Sequence, residues 1–160
     1  MKRNYSLLVV LFGLMSNAQN INFPDPVLKQ HLLTITPALD TDADGEISES
    51  EAFVLGSFSY DNPDGSLPHI VNYEGLQYFQ NLYMFGINDV GSVNPDLSVL
   101  NSMQGINILS LGGIITDYIN LSGMLSLQTL SISVNPPNGI VNIDGLTSIF
   151  TLSSNPDLSA

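Results

Sequence analysis

Oxygen-bearing side chains alternate along one short acidic segment, residues 40–51, which reads DTDADGEISESE. Calcium is a hard cation that binds about six to eight oxygens, and the EF-hand loop of about twelve residues supplies them from positions 1, 3, 5, 7, 9 and 12, with glycine at position 6. The segment has Gly45 at that turn and an oxygen donor at each ligand position: Asp40, Asp42, Asp44, Glu46 through its backbone carbonyl, Ser48 and Glu51. The spacing therefore predicts one calcium (Ca²⁺) site.

Helices are expected on both sides of this loop. Apolar residues recur at helical spacing over residues 24–33, and Asp25 is placed to cap that helix. A second helix is predicted over residues 48–58, because the segment starts with a capping-box pattern, and its Phe53 would face the core. Only one complete loop is present in the sequence, which favours a structural clamp over a calmodulin-like switch, whose loops usually come in pairs.

The chain begins with the layout of a secretory signal peptide. Lys2 and Arg3 precede an apolar run over residues 6–14, and small residues follow as far as Ala18, after which cleavage is expected. The apolar run is too short to span a bilayer, which takes about 20 residues, and no later segment is long and apolar enough. A buried N-terminal helix or strand is the alternative interpretation of this run.

Charge and composition narrow the class of partner and of chemistry. The 160 residues include 15 acidic and 3 basic ones, and cleavage after Ala18 would leave Lys29 as the single basic residue, with a formal charge of −14. Such a surface repels phosphate backbones and anionic lipid heads, so neither nucleic acid nor an anionic membrane surface is expected as a partner. The sequence has no cysteine and no serine-hydrolase, zinc-protease or phosphate-binding motif, and we therefore expect no enzymatic activity.

One apolar phrase repeats along the region after Tyr73. Three units share spacings of 3, 3, 3 and 2, with offsets of 21 and then 24 residues, and a fourth unit is irregular. These units are Leu76, Phe79, Leu82, Phe85 and Ile87; Leu97, Leu100, Met103, Ile106 and Ile108; Leu121, Met124, Leu127, Leu130, Ile132 and Asn135; and Leu146, Ile149, Phe150, Leu152 and Asn155. The pattern is that of a leucine-rich repeat. No unit can bury its apolar side alone, so the units are expected to stack with their strands in one parallel sheet.

The chain as a whole resembles internalin-like secreted bacterial leucine-rich-repeat proteins. The resemblance rests on the phrase INFPD at residues 21–25, the DxDxDG loop that follows it, and the repeats. It implies an α/β solenoid with parallel strands on its concave face and an N-terminal helical cap of the EF-hand type, secreted from a bacterium or held at its surface. The expected domains are the signal peptide over residues 1–18, the cap over 19–60 and about four repeats over 61–160, the last of them irregular.

The function expected for such a chain is the binding of an extracellular protein or glycan by the concave face of the solenoid. In this register the face would include Met84, Gly86, Asn88, Asn107, Leu109, Thr129, Ser131 and Ser133. Two alternatives remain open. One is a calcium-dependent assembly module like a dockerin, although dockerins carry two such loops. The other is a repeat fragment with no partner of its own.

Overall fold

The computed structural model describes residues 19–35, 38–135, 140–146 and 151–154. The predicted signal peptide lies outside these residues, as do Ile149, Phe150 and Asn155 of the fourth unit. Among the described residues, no helix has the length and apolar character needed to cross a membrane.

Parallel strands that stack from one coil of the chain to the next dominate the fold. The described residues form the strands β1 (Ser57–Asn62), β2 (Met84–Asp89), β3 (Ile108–Ile115), β4 (Tyr118–Asn120), β5 (Thr129–Asn135), β6 (Ile140–Asn142) and β7 (Thr151–Ser154). The main sheet has the order β1-β2-β3-β5-β7, and β4 pairs with β6 in a narrow second sheet. Every pairing between these strands is parallel. This arrangement confirms the predicted solenoid of stacked repeats.

Two short helices precede the strands. Helix α1 spans Pro26–Leu33 and is capped as predicted by Asp25, whose Oδ1 accepts hydrogen bonds from the backbone N–H groups of Val27 and Leu28. Helix α2 spans only Glu49–Ala52, and its predicted capping box is present. Single turns of 3₁₀ helix, at Leu76–Tyr78 and Ser98–Ser102, connect later strands.

The prediction of a helix over residues 48–58 is wrong beyond Ala52, because the chain turns there and enters β1. Phe58 and Tyr60 alternate with exposed residues along β1, and its backbone pairs with β2 in the register Ser57↔Met84. Strand pairing therefore overrides the local helix signal. Phe53, which was expected in the core, is 52% exposed. The strand also spans residue 60, the predicted boundary between cap and repeats.

The apolar positions of the first and third repeat units are buried as predicted, but the second unit is shifted by three residues. The main sheet pairs Phe85 with Leu109 and Leu109 with Leu130, so the second unit is offset by 24 residues from the first. Its buried residues are Leu100, Met103, Ile106, Leu109 and Leu111. An apolar residue occurs at every third position from Leu97 to Leu109. The repeat pattern therefore fits this run whether it starts at Leu97 or at Leu100, and the strand pairing selects Leu100.

A row of asparagine and aspartate side chains orders turns that lie outside the main sheet. In each turn the side-chain oxygen of one such residue accepts a hydrogen bond from the backbone N–H two residues later, at 2.7–3.2 Å. The accepting residues are Asn72, Asp96, Asn120 and Asn142. Asp25 extends this row to the cap, because its Oδ2 accepts from Val71 N at 2.7 Å and from Asn72 N at 3.0 Å. One buried carboxylate thus caps α1 and joins it to the first coil.

Candidate functional site

The acidic loop, residues 40–51, leads from the turn after α1 into α2. Asp40, Asp42 and Asp44 each place one carboxylate oxygen within 4.8 Å of the other two. Gly45 has a φ of +80°, which an L side chain rarely adopts. A Cβ atom at Gly45 would meet nothing within 4 Å, so the backbone angle rather than crowding selects glycine. Three carboxylate oxygens thus lie close together, and carboxylate oxygen is the kind of ligand that a hard divalent cation such as calcium binds.

Electrostatic repulsion accompanies this convergence. The N–H of Asp44 donates to both Asp40 Oδ1 and Asp42 Oδ1, at 3.2 and 3.3 Å. This backbone bond lowers the pKa of Asp42, yet desolvation and the negative charges of Asp44, Glu51 and Asp40 together leave that pKa above its ordinary value. A bound cation would relieve the repulsion, because it adds the opposite charge to the cluster.

Glu51 closes the loop instead of joining the group of three aspartates. Its Oε1 accepts hydrogen bonds from the N–H and hydroxyl of Thr41, at 2.7 and 2.9 Å. Its Oε2 accepts from the N–H and hydroxyl of Ser48, at 2.9 and 2.8 Å. Desolvation raises the pKa of Glu51, but these four bonds outweigh it and lower the pKa to about 2. Two predicted ligands, Glu51 and Ser48, therefore bond to each other beside the cluster.

The remaining predicted ligand, Glu46, was expected to bind through its backbone carbonyl, and its side chain has a separate partner. Its carboxylate forms an ion pair with Lys29 of α1 at 2.5 Å. The next residue, Ile47, is fully buried, and its carbonyl accepts a hydrogen bond from Ile21 N at 2.8 Å. The loop is thus attached to the body of the protein by a short backbone contact and one ion pair.

The second candidate surface is the side of the main sheet that faces away from the core, here called the sheet face. It consists of three rows that cross β1, β2, β3 and β5 in register. The rows are Ser57, Met84, Ile108 and Thr129; Ser59, Gly86, Ser110 and Ser131; and Asp61, Asn88, Gly112 and Ser133. Six of the eight predicted face residues lie on it: Met84, Gly86, Asn88, Thr129, Ser131 and Ser133.

The other two predicted face residues lie elsewhere. Leu109 is fully buried, so its assignment to the face is wrong, and Ser110 occupies the outward position instead. The error follows directly from the shifted second unit. Asn107 is half-buried just before β3, and its Nδ2 donates to the carbonyl of Ser126 at 2.9 Å. Sequence reasoning also missed the contribution of β1, where Asp61 accepts a hydrogen bond from Asn88 Nδ2 at 2.8 Å.

A buried carboxylate at the end of β2 was not predicted either. Asp89 is fully buried, and its Oδ1 accepts from Asn62 Nδ2 at 2.8 Å and lies 2.7 Å from His69 Nδ1. The signal available in the sequence was its position, two residues after Ile87 and in phase with the buried side of the strand. These contacts join the ends of β1 and β2 to the segment that follows β1.

No protein-family model and no curated protein matches the chain. Among solved structures, its fold is similar to internalins of Listeria monocytogenes strain 4b F2365. Internalin C2 has 21% sequence identity and a TM-score of 0.56, over 83% of this chain and 65% of that one. Internalin F has 16% identity and a TM-score of 0.52, over 83% of this chain and 44% of that one.

The fold is an internalin-like leucine-rich-repeat solenoid. The chain spans slightly less than two thirds of internalin C2 and less than half of internalin F. At these identities the likeness concerns the fold alone, because one fold can carry many unrelated functions.

Proposed function

We propose that this protein is an extracellular interaction scaffold that binds a protein or a glycan through its sheet face. The observation that supports this most is the division of the main sheet into two sides. Phe85, Leu109 and Leu130 fill the core, whereas the rows on the other side stay half-buried or exposed across four strands. Solenoid repeats characteristically use such extended faces for binding.

The chemistry of the sheet face favours hydrogen bonding over charge neutralisation. The central row carries serine hydroxyl groups, and Gly86 adds no side chain to it. The third row adds the amide of Asn88 and the carboxylate of Asp61. Serine hydroxyls and an amide can both donate and accept, which suits peptide groups and sugar hydroxyls. The rows contain no lysine or arginine, so phosphate and sulfate groups are not suited to this surface.

A blocking substitution tests this role. Ser131→Trp adds bulk to the central row of the sheet face, and Ser98→Trp adds the same bulk to an exposed serine on a 3₁₀ turn. Screening both variants against arrays of purified extracellular proteins and glycans should show ligands that are lost only with Ser131→Trp. Ligands lost equally with both variants, or with neither, would count against the sheet face. Binding that depends on calcium but not on Ser131 would favour the assembly-module alternative.

We further propose that the acidic loop holds one structural calcium ion. Asp40, Asp42 and Asp44 would provide carboxylate oxygens, with the remaining ligands from the Glu46 carbonyl, Ser48 and Glu51. The convergence of the three aspartates and the raised pKa of Asp42 support the proposal. The ion would remove the repulsion in the cluster and fix α2 against the first strand.

Thermal melting tests the calcium site. Extracellular sites of this type bind with dissociation constants of about 10⁻⁴ to 10⁻³ M. An ion that binds only the folded state stabilises it by about 2.7 kcal/mol when its concentration is about 100 times the dissociation constant. Asp40→Ala with Glu51→Ala should abolish the calcium-induced rise in Tm. Asp64→Ala, which removes an exposed carboxylate from another turn, should keep it. Identical melting of the unaltered protein in calcium and in chelator would rule the site out.

We also propose that the protein is exported and is not an enzyme. The order of charge, apolar run and small residues in residues 1–18 supports export, and the absence of a recognised catalytic motif from the sequence supports a non-catalytic role. N-terminal sequencing of the protein recovered from the culture medium or cell surface should start at Gln19. Recovery only from the cytoplasm with residues 1–18 attached would contradict export.

A further inference from the structure

Exposed apolar side chains line one rim of the solenoid, where the cap meets the first repeats. Phe53 is 52% exposed, Val54 71% and Tyr83 50%, while Met84 and Ile108 are half-buried. Together these five residues are here called the rim strip. Isolated apolar residues are common on protein surfaces, but a connected group of them marks an interaction site more often.

Backbone contacts connect the rim strip from α2 to β3. The N–H of Tyr83 donates to the Gly56 carbonyl at 2.9 Å, and the side chain of Asn81 donates to the Phe53 carbonyl at 2.7 Å. On the other side, the N–H of Ile108 donates to the carbonyl of Tyr83 at 3.1 Å. The strip therefore runs from the end of α2 across two neighbouring strands, which lie about 4.8 Å apart in any sheet.

Gly56 keeps the Tyr83 ring in this position. A Cβ atom at residue 56 would lie 3.1 Å from Cε1 of Tyr83 and 3.5 Å from its Cδ1. The ring thus covers a glycine backbone, where no side chain competes with it. An aromatic ring held against backbone loses little conformational entropy when it binds a partner.

The charged residues that flank Phe53 and Val54 in the sequence, Glu49, Glu51 and Asp61, are all acidic. Glu49 is exposed one helical turn before Phe53, and the three aspartates of the acidic loop precede α2. In residues 19–160 the sequence has a single basic residue, Lys29, and its ammonium group is paired with Glu46. A second copy of this chain would bring the same negative charge to the strip, and an anionic lipid surface would be repelled as well.

We infer that the rim strip docks an amphipathic segment of a basic protein, with apolar side chains against Phe53 and Tyr83 and lysine or arginine side chains towards Glu49 and the acidic loop. Aromatic anchors with charges at the margin are the usual anatomy of a protein–protein interface. The inference rests on the proposed interaction role and deepens it, because it names the chemistry of the partner and a surface that overlaps the sheet face at Met84 and Ile108 and extends beyond it to Phe53.

Two matched peptides provide the probe. One is an amphipathic peptide of leucine and lysine, and the other replaces every lysine with glutamate. The lysine peptide should bind, with NMR shift changes concentrated at the rim strip and an affinity that falls as salt is added. The glutamate peptide should not bind. Each affinity is measured in calcium and in chelator, and the variants are compared within one buffer, so the comparison does not depend on the calcium site.

Matched substitutions separate the rim strip from general attraction to an acidic protein. Tyr83→Ser should weaken the affinity for the lysine peptide by about tenfold or more. Tyr118→Ser should leave its affinity unchanged, although Tyr118, in the second sheet, is 55% exposed. Phe53→Ser and Leu125→Ser form a second pair of the same design. Circular dichroism establishes that each variant is folded before its affinity is compared.

Equal effects of Tyr83→Ser and Tyr118→Ser would overturn the inference, as would equal binding of the two peptides. If Ser131→Trp alone abolished binding of the lysine peptide, the inference would fail while the proposed sheet face would stand. Loss of the affinity with both rim variants and with neither control would support it.

Discussion

Asp25 joins helix α1 of the cap to the first coil of the solenoid, and its replacement by alanine tests this connection. Asp25 is almost completely buried, and its two oxygens accept four backbone hydrogen bonds. Two come from the first turn of α1, and two come from the N–H groups of Val71 and Asn72 in the first coil. Asp25→Ala removes both acceptor oxygens and therefore all four hydrogen bonds at once.

The size of the effect follows from these contacts. Loss of the helix N-cap costs about 1 kcal/mol. Loss of a hydrogen bond to a charged group costs about 1.5 kcal/mol at the lower end of its range, so the two bonds from the first coil add about 3 kcal/mol. The expected loss in the free energy of unfolding is therefore about 4 kcal/mol. For a domain of this size, that corresponds to a fall in Tm of roughly 10 °C.

Urea denaturation followed by circular dichroism measures this loss. Asp25→Asn keeps one acceptor for the helix and should lose about half as much stability. Asp96→Ala is the matched control, because Asp96 is exposed and its Oδ1 accepts a hydrogen bond from Ser98 N. Its cost should stay near 1 kcal/mol or below. If Asp25→Ala cost no more than Asp96→Ala, the role assigned to Asp25 would be wrong.

Further predictions concern the pH dependence of stability and the register of the sheet. The pKa of Glu51 is lowered to about 2 from 4.5, so its stabilising contribution is present above pH 4.5 and is lost as the pH falls towards 2; in chelator, Glu51→Gln should lose less stability than the unaltered protein over that interval. Leu109→Ala should cost about 3 kcal/mol, because Leu109 is fully buried, whereas Ser110→Ala should change stability by less than about 0.5 kcal/mol. Equal effects of these two substitutions in urea denaturation would contradict the register of β3.

The solenoid could be predicted from the sequence because the apolar residues of its repeats recur at a fixed spacing. The repeating apolar positions of the first unit, from Leu76 to Ile87, and of the third unit, from Leu121 to Ile132, are buried as their spacing indicates. The second unit could not be placed in the same way, since its apolar residues recur every three positions and a shift by three preserves the pattern. Only the pairing of Leu109 with Phe85 and Leu130, a contact distant in sequence, removes the ambiguity.

The start of the sheet was missed for a different reason. Ser48 and Glu51 do form a capping box, but the helix they start lasts one turn and gives way to β1. The alternation of Phe58 and Tyr60 with polar residues was the available signal, and it competes with the local preference for helix. The links made by Asp25 and Asp89 depend on residues far apart in sequence, so spacing alone could not reveal them.

The sequence of the acidic loop predicted which residues carry ligand oxygens, but it did not predict the hydrogen bonds that position all of them. The spacing of Asp40, Asp42 and Asp44 indicates three oxygens on one side of a turn, and these oxygens do lie together. The bonds of Glu51 to Thr41 and Ser48 depend on how α2 packs, which the spacing does not specify.

A crystal structure of the protein grown in millimolar calcium, with the anomalous signal recorded at long wavelength, tests the loop and the scaffold together. We expect one calcium peak, coordinated by Asp40, Asp42 and Asp44 within a shell of about six to eight oxygens at about 2.3–2.6 Å. We also expect the successive coils to pair in the register Phe85↔Leu109↔Leu130. An empty loop in those crystals would contradict the calcium proposal, and a different strand register would contradict the scaffold on which the proposed function rests.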